Sequence, residues 1–192
     1  MELFPEWFLQ RHLGLQPNCS GWDTIEDAFS VLTASALEQP QVFVHRDFHS
    51  RNLMRTSFNN PGVIDFQDAV KGPITYDLVS LLRDAYVAWD EERQIDWAVR
   101  YWERARQARL PVDADFGAFW RDVEWMGVQR QLKVLGIFAR LSHRDGKDGY
   151  LADMPCVMAY LRDACRRYSA FDPLARLLDA IEGRTPAAGY TF

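Results

Sequence analysis

The sequence predicts a mainly α fold (α+β) with one small β-hairpin region, and three observations carry that prediction. Apolar residues recur at helical spacing over long stretches, above all from about 115 to 141. Strand-like composition is confined to residues 41–66, where Gln41-Val42-Phe43-Val44 and Gly62-Val63-Ile64 flank turn chemistry. With 192 residues, 48% of them hydrophobic and 14% aromatic, one domain is expected, with a sizeable core. A chain of this size buries about 70% of its unfolded surface.

Element by element, Leu3 to Leu13 reads as a short helix with Pro5 in its first turn, where a missing N–H costs little. Asn18-Cys19-Ser20-Gly21 reads as a loop, and Asp23 or Thr24 starts the next helix. Trp22, Ile25, Phe29, Leu32 and Leu37 give that helix its apolar side, and Pro40 ends it. Gln41–Val44 is a strand. Leu53-Met54-Arg55 and Gly62-Val63-Ile64 form a hairpin across Asn59-Asn60-Pro61-Gly62. Lys71-Gly72-Pro73 reads as a turn before a helix marked by Ile74, Leu78, Leu81, Leu82 and Ala85. Residues 90–109 form an amphipathic helix through Ile95, Ala98, Val99 and Trp102. Its Arg100, Arg104, Arg106 and Arg109 alternate with acids, as on a solvated face. Pro111 and Asp113 separate it from the long apolar helix at 115–141. Ser142 to Gly149 is a polar loop, helices follow near 153–168 and 172–182, and the last ten residues read as frayed.

The chemistry is concentrated in His45-Arg46-Asp47-Phe48-His49-Ser50-Arg51-Asn52 and, after the hairpin, Ile64-Asp65-Phe66. Phosphoryl transfer needs an in-line hydroxyl, a proton acceptor and cations on the phosphate oxygens. Asp47 suits the acceptor role, and Asn52 and Asp65 offer the hard oxygen ligands that Mg²⁺ prefers. The match to H-R-D-x-x-x-x-N followed by a strand ending in D-F has the spacing of a kinase catalytic loop and metal-binding turn. The hairpin is expected to bring Asp47, Asn52 and Asp65 to one rim. His45 follows an apolar strand and reads as a buried histidine satisfied by backbone. His49 is open between a loop-stabilising hydrogen bond and a substrate contact.

H-x-D-x-H-x-x-N, then I-D-F, then Gly72-Pro73-x-x-Tyr76-Asp77-Leu78 resembles the aminoglycoside phosphotransferase-like kinases, a family that includes choline and small-sugar kinases. The resemblance implies a protein-kinase-like C-terminal lobe, with ATP as donor and Mg²⁺ as cofactor. It implies Asp47 as catalytic base, Asn52 and Asp65 as metal and cofactor ligands, and Asp77 as a brace of the catalytic loop. A carboxylate at Asp77 is also favoured by the positive end of the helix it opens. Within the family, Phe4-Pro5-Glu6-Trp7-Phe8 and the segment from Gln129 to Phe138 look most similar to bacterial kinases of the anomeric hydroxyl of N-acetylmuramate and N-acetylglucosamine.

Kinases of this shape hold the nucleotide with a glycine-rich loop and a strand lysine on a first lobe. Lys71, Lys133 and Lys147 all follow the catalytic loop, and Gly14 and Gly21 lie too far apart for a phosphate cradle. The nucleotide-clamping N-terminal lobe is therefore expected to be absent from this chain and to come in cis, from a longer polypeptide, or in trans. The chain alone is expected to be inactive, with some aromatics exposed on the face the lobe would cover. The rival expectation is a single-lobe binding module without catalysis.

Cys19, Cys156 and Cys165 lack metal-ligand spacing and read as reduced, mostly buried residues. No basic region followed by an apolar run opens the chain, and no stretch approaches a membrane span, so a cytoplasmic protein without a membrane partner is expected. A net charge of −5 argues against a nucleic-acid partner. From residue 115 onward acids and bases nearly balance. That leaves no acidic trap for a polycationic aminoglycoside and leans toward a neutral or anionic small-molecule acceptor, an amino sugar. Arg130 and Lys133, with Gln129 and Gln131 beside them, are the candidate substrate contacts. Their alternative is a salt bridge to Glu124 or an aspartate, or a side chain that snorkels to the surface. Trp7, Trp22 and Trp125 are open between sugar stacking and core.

Overall fold

A computed structural model describes residues 1–183. It is mainly helical, with two small antiparallel sheets. The first helix, Phe4–His12, is a π-helix that carries Pro5 at its start and buries Phe4, Phe8 and Leu9. It lies against a long central helix at Gly136. A Cβ at Gly136 would stand 2.4 Å from the carbonyl carbon of Leu3, so that approach requires glycine.

Helix α1 spans Cys19–Glu38 and starts earlier than expected. The Asn18 side chain accepts the Gly21 N–H at 2.8 Å, so the segment read as a loop is a cap and first turn. Cys19, at that exposed first turn, is exposed rather than buried; all three cysteines are free. Strand β1 (Gln41–Val44) follows, then β2 (Leu53–Met54) and β3 (Gly62–Val63), which pair as the expected hairpin. Lys71-Gly72-Pro73 is no turn. It belongs to strand β4 (Val70–Pro73), antiparallel to β1, with Val42 opposite Gly72 and Val44 opposite Val70. Gly72 suits a close pairing rather than a bend, because Val44 Cγ2 lies 3.3 Å from where its Cβ would be.

Helix α2 (Tyr76–Leu82) is short and ends before Ala85. Helix α3 (Glu91–Gln107) is capped by Asp90, and α4 (Phe116–Asp145) by Asp115. Helix α4 extends past residue 141 into the stretch read as a polar loop, and Gly146 closes it at φ +65°. The Gly146 and Lys147 N–H groups bond back to Ser142 and Leu141, which satisfies the last carbonyls. Helices α5 (Met154–Cys165) and α6 (Asp172–Ile181) complete the described chain. The expected fraying of the last ten residues concerns residues that lie almost wholly outside the described ones.

Helix α4 is the spine. One core joins the first helix, α1, α5 and α6 to it through Leu9, Ile25, Leu132, Leu135, Leu161 and Leu178. A second core packs α2, α3 and β1 against its first half through Val44, Val79, Ala98, Phe119 and Val123. No described helix is long and apolar enough to cross a membrane. Phe43, Phe58, Phe66 and Val70, around the two sheets, are exposed.

Candidate active site

The loop after β1 is held from α2. Asp77 accepts the His45 N–H at 2.7 Å and the Arg46 N–H at 3.0 Å, one on each carboxylate oxygen. Between these bonds and Asp47, Arg46 takes φ +75°, a left-handed conformation that a non-glycine residue holds only under constraint. The brace therefore sets the direction in which Asp47 leaves the strand. His45 is buried, and its Nε2 meets the Ile64 carbonyl at 3.0 Å, tying the loop to the returning hairpin.

Asn52 joins the three expected residues. Its Nδ2 donates to the Asp47 carbonyl oxygen at 2.9 Å and to Asp65 Oδ2 at 3.3 Å. The Ile64 N–H donates to the Asn52 carbonyl at 3.1 Å, which aligns the hairpin under Asp65. Asp65 itself is exposed at φ +69°, a region in which aspartate is enriched, and Gln67 steadies its other oxygen at 2.7 Å. These hydrogen bonds use the nitrogen of Asn52 and leave Oδ1 free. Among the described residues no group of three or more His, Cys, Asp or Glu gathers to cage a metal. An amide oxygen beside a single exposed carboxylate is instead the open, all-oxygen donor set of Mg²⁺, which keeps several waters and leans on substrate phosphates. The residues present fit that ion.

Asp47 also faces a pocket of about 160 Å³ on the helical side, shared with His49, Asp84, Arg130 and Lys133. Tyr86, Val134, Phe138 and Tyr150 supply its apolar walls. The residues singled out from sequence as substrate contacts thus meet beside Asp47. Arg130 and Lys133 do not pair with Glu124. Lys133 Nζ donates to the Tyr76 hydroxyl at 3.0 Å, and the Arg130 guanidinium lies 5.9 Å from the Tyr76 ring centroid. Gln129 lines the groove behind β1 and β4, and Gln131 bonds the Arg83 carbonyl at 3.1 Å, a structural contact. Burial holds His49 below the ordinary histidine range, against the opposing pull of Asp84, and burial also raises the Tyr86 hydroxyl. Trp7 lies under Arg11, and Trp125 packs on Tyr168 and Phe171; neither tryptophan, nor Trp22, lines this pocket.

Two features escaped the sequence reading. Asp84, 1% exposed, accepts the Ser50 N–H at 2.9 Å and the Tyr86 N–H at 3.1 Å, so it braces the second half of the catalytic loop. Its neighbour Arg83 is anchored by Glu124 at 2.9 Å, and Glu124 also takes Arg167 at 2.7 Å and the Tyr168 hydroxyl at 2.6 Å. Two adjacent residues after α2 thus face different ways: Asp84 holds the loop that follows β1, and Arg83 ties α2 through Glu124 to α4 and the segment after α5. A polar pair, Arg83-Asp84, directly after an apolar helix was the available signal.

Residues 3–120 match the model of the phosphotransferase enzyme family (APH). The chain is 50% identical over 193 residues to an N-acetylmuramate/N-acetylglucosamine kinase of Neisseria meningitidis, covering 100% of this chain and 58% of the relative. Proteins of the same name in Pseudomonas putida and Caulobacter vibrioides are 47% and 33% identical, over 95% and 85% of this chain and 53% and 44% of theirs. The chain spans about half the length of the curated relatives it matches.

Proposed function

The chain belongs to the phosphotransferase enzyme family, and on that premise we propose that it forms the catalytic and acceptor-binding lobe of an amino-sugar kinase. The acceptor is N-acetylmuramate or N-acetylglucosamine, in keeping with the names of the relatives, and the group phosphorylated is its anomeric hydroxyl. The observation that carries the reading is the convergence on Asn52. Its one amide nitrogen touches both the Asp47 backbone and the Asp65 carboxylate, beside a pocket that also contains Asp47.

In this reading Asp47 accepts the proton of the sugar hydroxyl as its oxygen bonds to the γ-phosphorus of ATP and the bond to the β-phosphate oxygen breaks. Asn52 and Asp65 would hold Mg²⁺, which would supply charge neutralisation on the phosphate oxygens. Asp77 and Asp84 fix the two halves of the loop, so that Asp47 meets the hydroxyl without reorganising. Positioning of this kind provides most of the acceleration in phosphoryl transfer. His49 and Lys133 contact the acceptor, and Arg130 lines the same pocket. Mg·ATP is clamped by a further lobe, in cis or in trans, that covers the exposed Phe43, Phe58, Phe66 and Val70. A cytoplasmic setting, where ATP is abundant, accompanies the reading.

The test is a phosphate-transfer screen of the full-length protein with Mg·ATP against amino sugars and aminoglycosides. Phosphorylation of an N-acetylated amino sugar at its anomeric oxygen is expected. Turnover on aminoglycosides alone would replace the acceptor, and sugar binding without any transfer would make the lobe a binding module.

A further inference from the structure

The relatives' name joins two sugars that differ by one group. N-acetylmuramate carries a lactyl ether whose carboxylate N-acetylglucosamine lacks. A protein that takes both needs a subsite that accommodates an anion without depending on it.

Arg130 is the unassigned charge nearest to that task. It is 6% exposed, sits on the buried face of α4, and faces the pocket that holds Asp47. Its Nε has no hydrogen-bond partner. Among the described residues it makes no salt bridge, not even with Asp47 of the same pocket. Glu124, on the same helix, pairs with Arg83 and Arg167. Asp84 spends an oxygen each on the Ser50 and Tyr86 N–H groups. Lys133, the other cation of the pocket, is held by the Tyr76 hydroxyl. A buried guanidinium without an ion-pair partner is costly unless a ligand completes it.

The size of the pocket agrees. At about 160 Å³ it is roughly half the lower end of ordinary ligand pockets, near 300 Å³. It takes a substituent of a sugar, not the whole ring. Val134 and Phe138 offer an apolar wall for a methyl group, and the guanidinium offers a planar fork of donors for a carboxylate. We infer that Arg130 is the specificity-determining residue for the acidic acceptor, receiving its carboxylate while the neutral sugar leaves the subsite to water. The inference rests on the kinase reading above and adds a residue that separates the two substrates.

The experiment compares kcat and KM of the full-length protein and its Arg130→Gln variant on N-acetylmuramate and N-acetylglucosamine. A charge-assisted contact of this kind predicts a rise in KM for N-acetylmuramate of roughly 10- to 100-fold, with kcat nearly unchanged and N-acetylglucosamine kinetics close to wild type. Retained turnover of the neutral sugar reports an intact fold in the same sample. Arg130→Lys, which keeps the charge but loses the fork, is expected to fall between the two, and it carries the same comparison if Arg130→Gln does not fold. Equal losses on both sugars in both variants would overturn the inference in favour of a structural or phosphoryl-binding role, and so would unchanged kinetics on both. A wild-type protein that phosphorylates neither sugar would overturn the kinase reading itself.

Discussion

Replacing Asp77 by alanine removes both acceptors that hold the first half of the catalytic loop, the 2.7 Å bond from the His45 N–H and the 3.0 Å bond from the Arg46 N–H. A buried N–H deprived of its partner costs about 1–3 kcal/mol, and the site is only partly buried, so two such losses amount to about 2–4 kcal/mol. The left-handed Arg46 then favours rearrangement of the loop, because a backbone conformation that costs about 1 kcal/mol is no longer held in place. Against a total stability of about 5–15 kcal/mol the loss is large. In a domain of this length it lowers Tm by roughly 4–16 °C. Asp77→Asn keeps one acceptor and is expected to lose about half as much. The assay is guanidinium denaturation followed by tryptophan fluorescence, paired with turnover in the full-length protein. A misplacement of Asp47 by about 1 Å predicts a fall in kcat of roughly 100-fold with sugar affinity retained. Alanine and asparagine variants both within about 0.5 kcal/mol of wild type, with normal turnover, would refute the brace.

Glu124→Gln leaves Arg83, 6% exposed, without its countercharge and is expected to destabilise by about 3–5 kcal/mol; a change below about 1 kcal/mol in denaturation would contradict the network. His49 has a folded pKa lowered by burial, so the unfolded chain binds its proton first. Its stabilising contribution is complete above the unfolded value, about 6.5, and is lost as pH falls from there toward the lowered folded value. His49→Gln is expected to flatten the fall in stability between neutral and mildly acidic pH; an unchanged slope in denaturation midpoints would count against it.

The meeting of Asp47, Asn52 and Asp65 was legible because its information is local. Asp47 and Asn52 lie five residues apart, Asp65 ends the next strand, and Asn59-Asn60-Pro61-Gly62 announces the hairpin between them. What escaped depends on contacts distant in sequence. Gly72-Pro73 carries turn chemistry, yet pairing with β1 made it a strand, and only Val44 across the ladder shows why glycine is there. Asn18-Cys19-Ser20-Gly21 has loop composition but also the composition of a helix cap, and the cap won. Asp84 was invisible as a brace because its partner Ser50 lies 34 residues away. Arg130 was legible as a charge on an apolar helix, but whether it pairs with Glu124 could be decided only by the packing that gives Glu124 to Arg83.

Asp47 as the proton acceptor is the centre of the proposed mechanism, and the most direct measurement is turnover and sugar binding of the full-length Asp47→Asn protein side by side. The substitution preserves size and removes only the basic oxygen. Loss of a positioned general base predicts a fall in kcat of about 10²- to 10⁴-fold, while calorimetry finds sugar affinity essentially intact. Wild-type turnover in that variant, or sugar binding lost in proportion to activity, would contradict it.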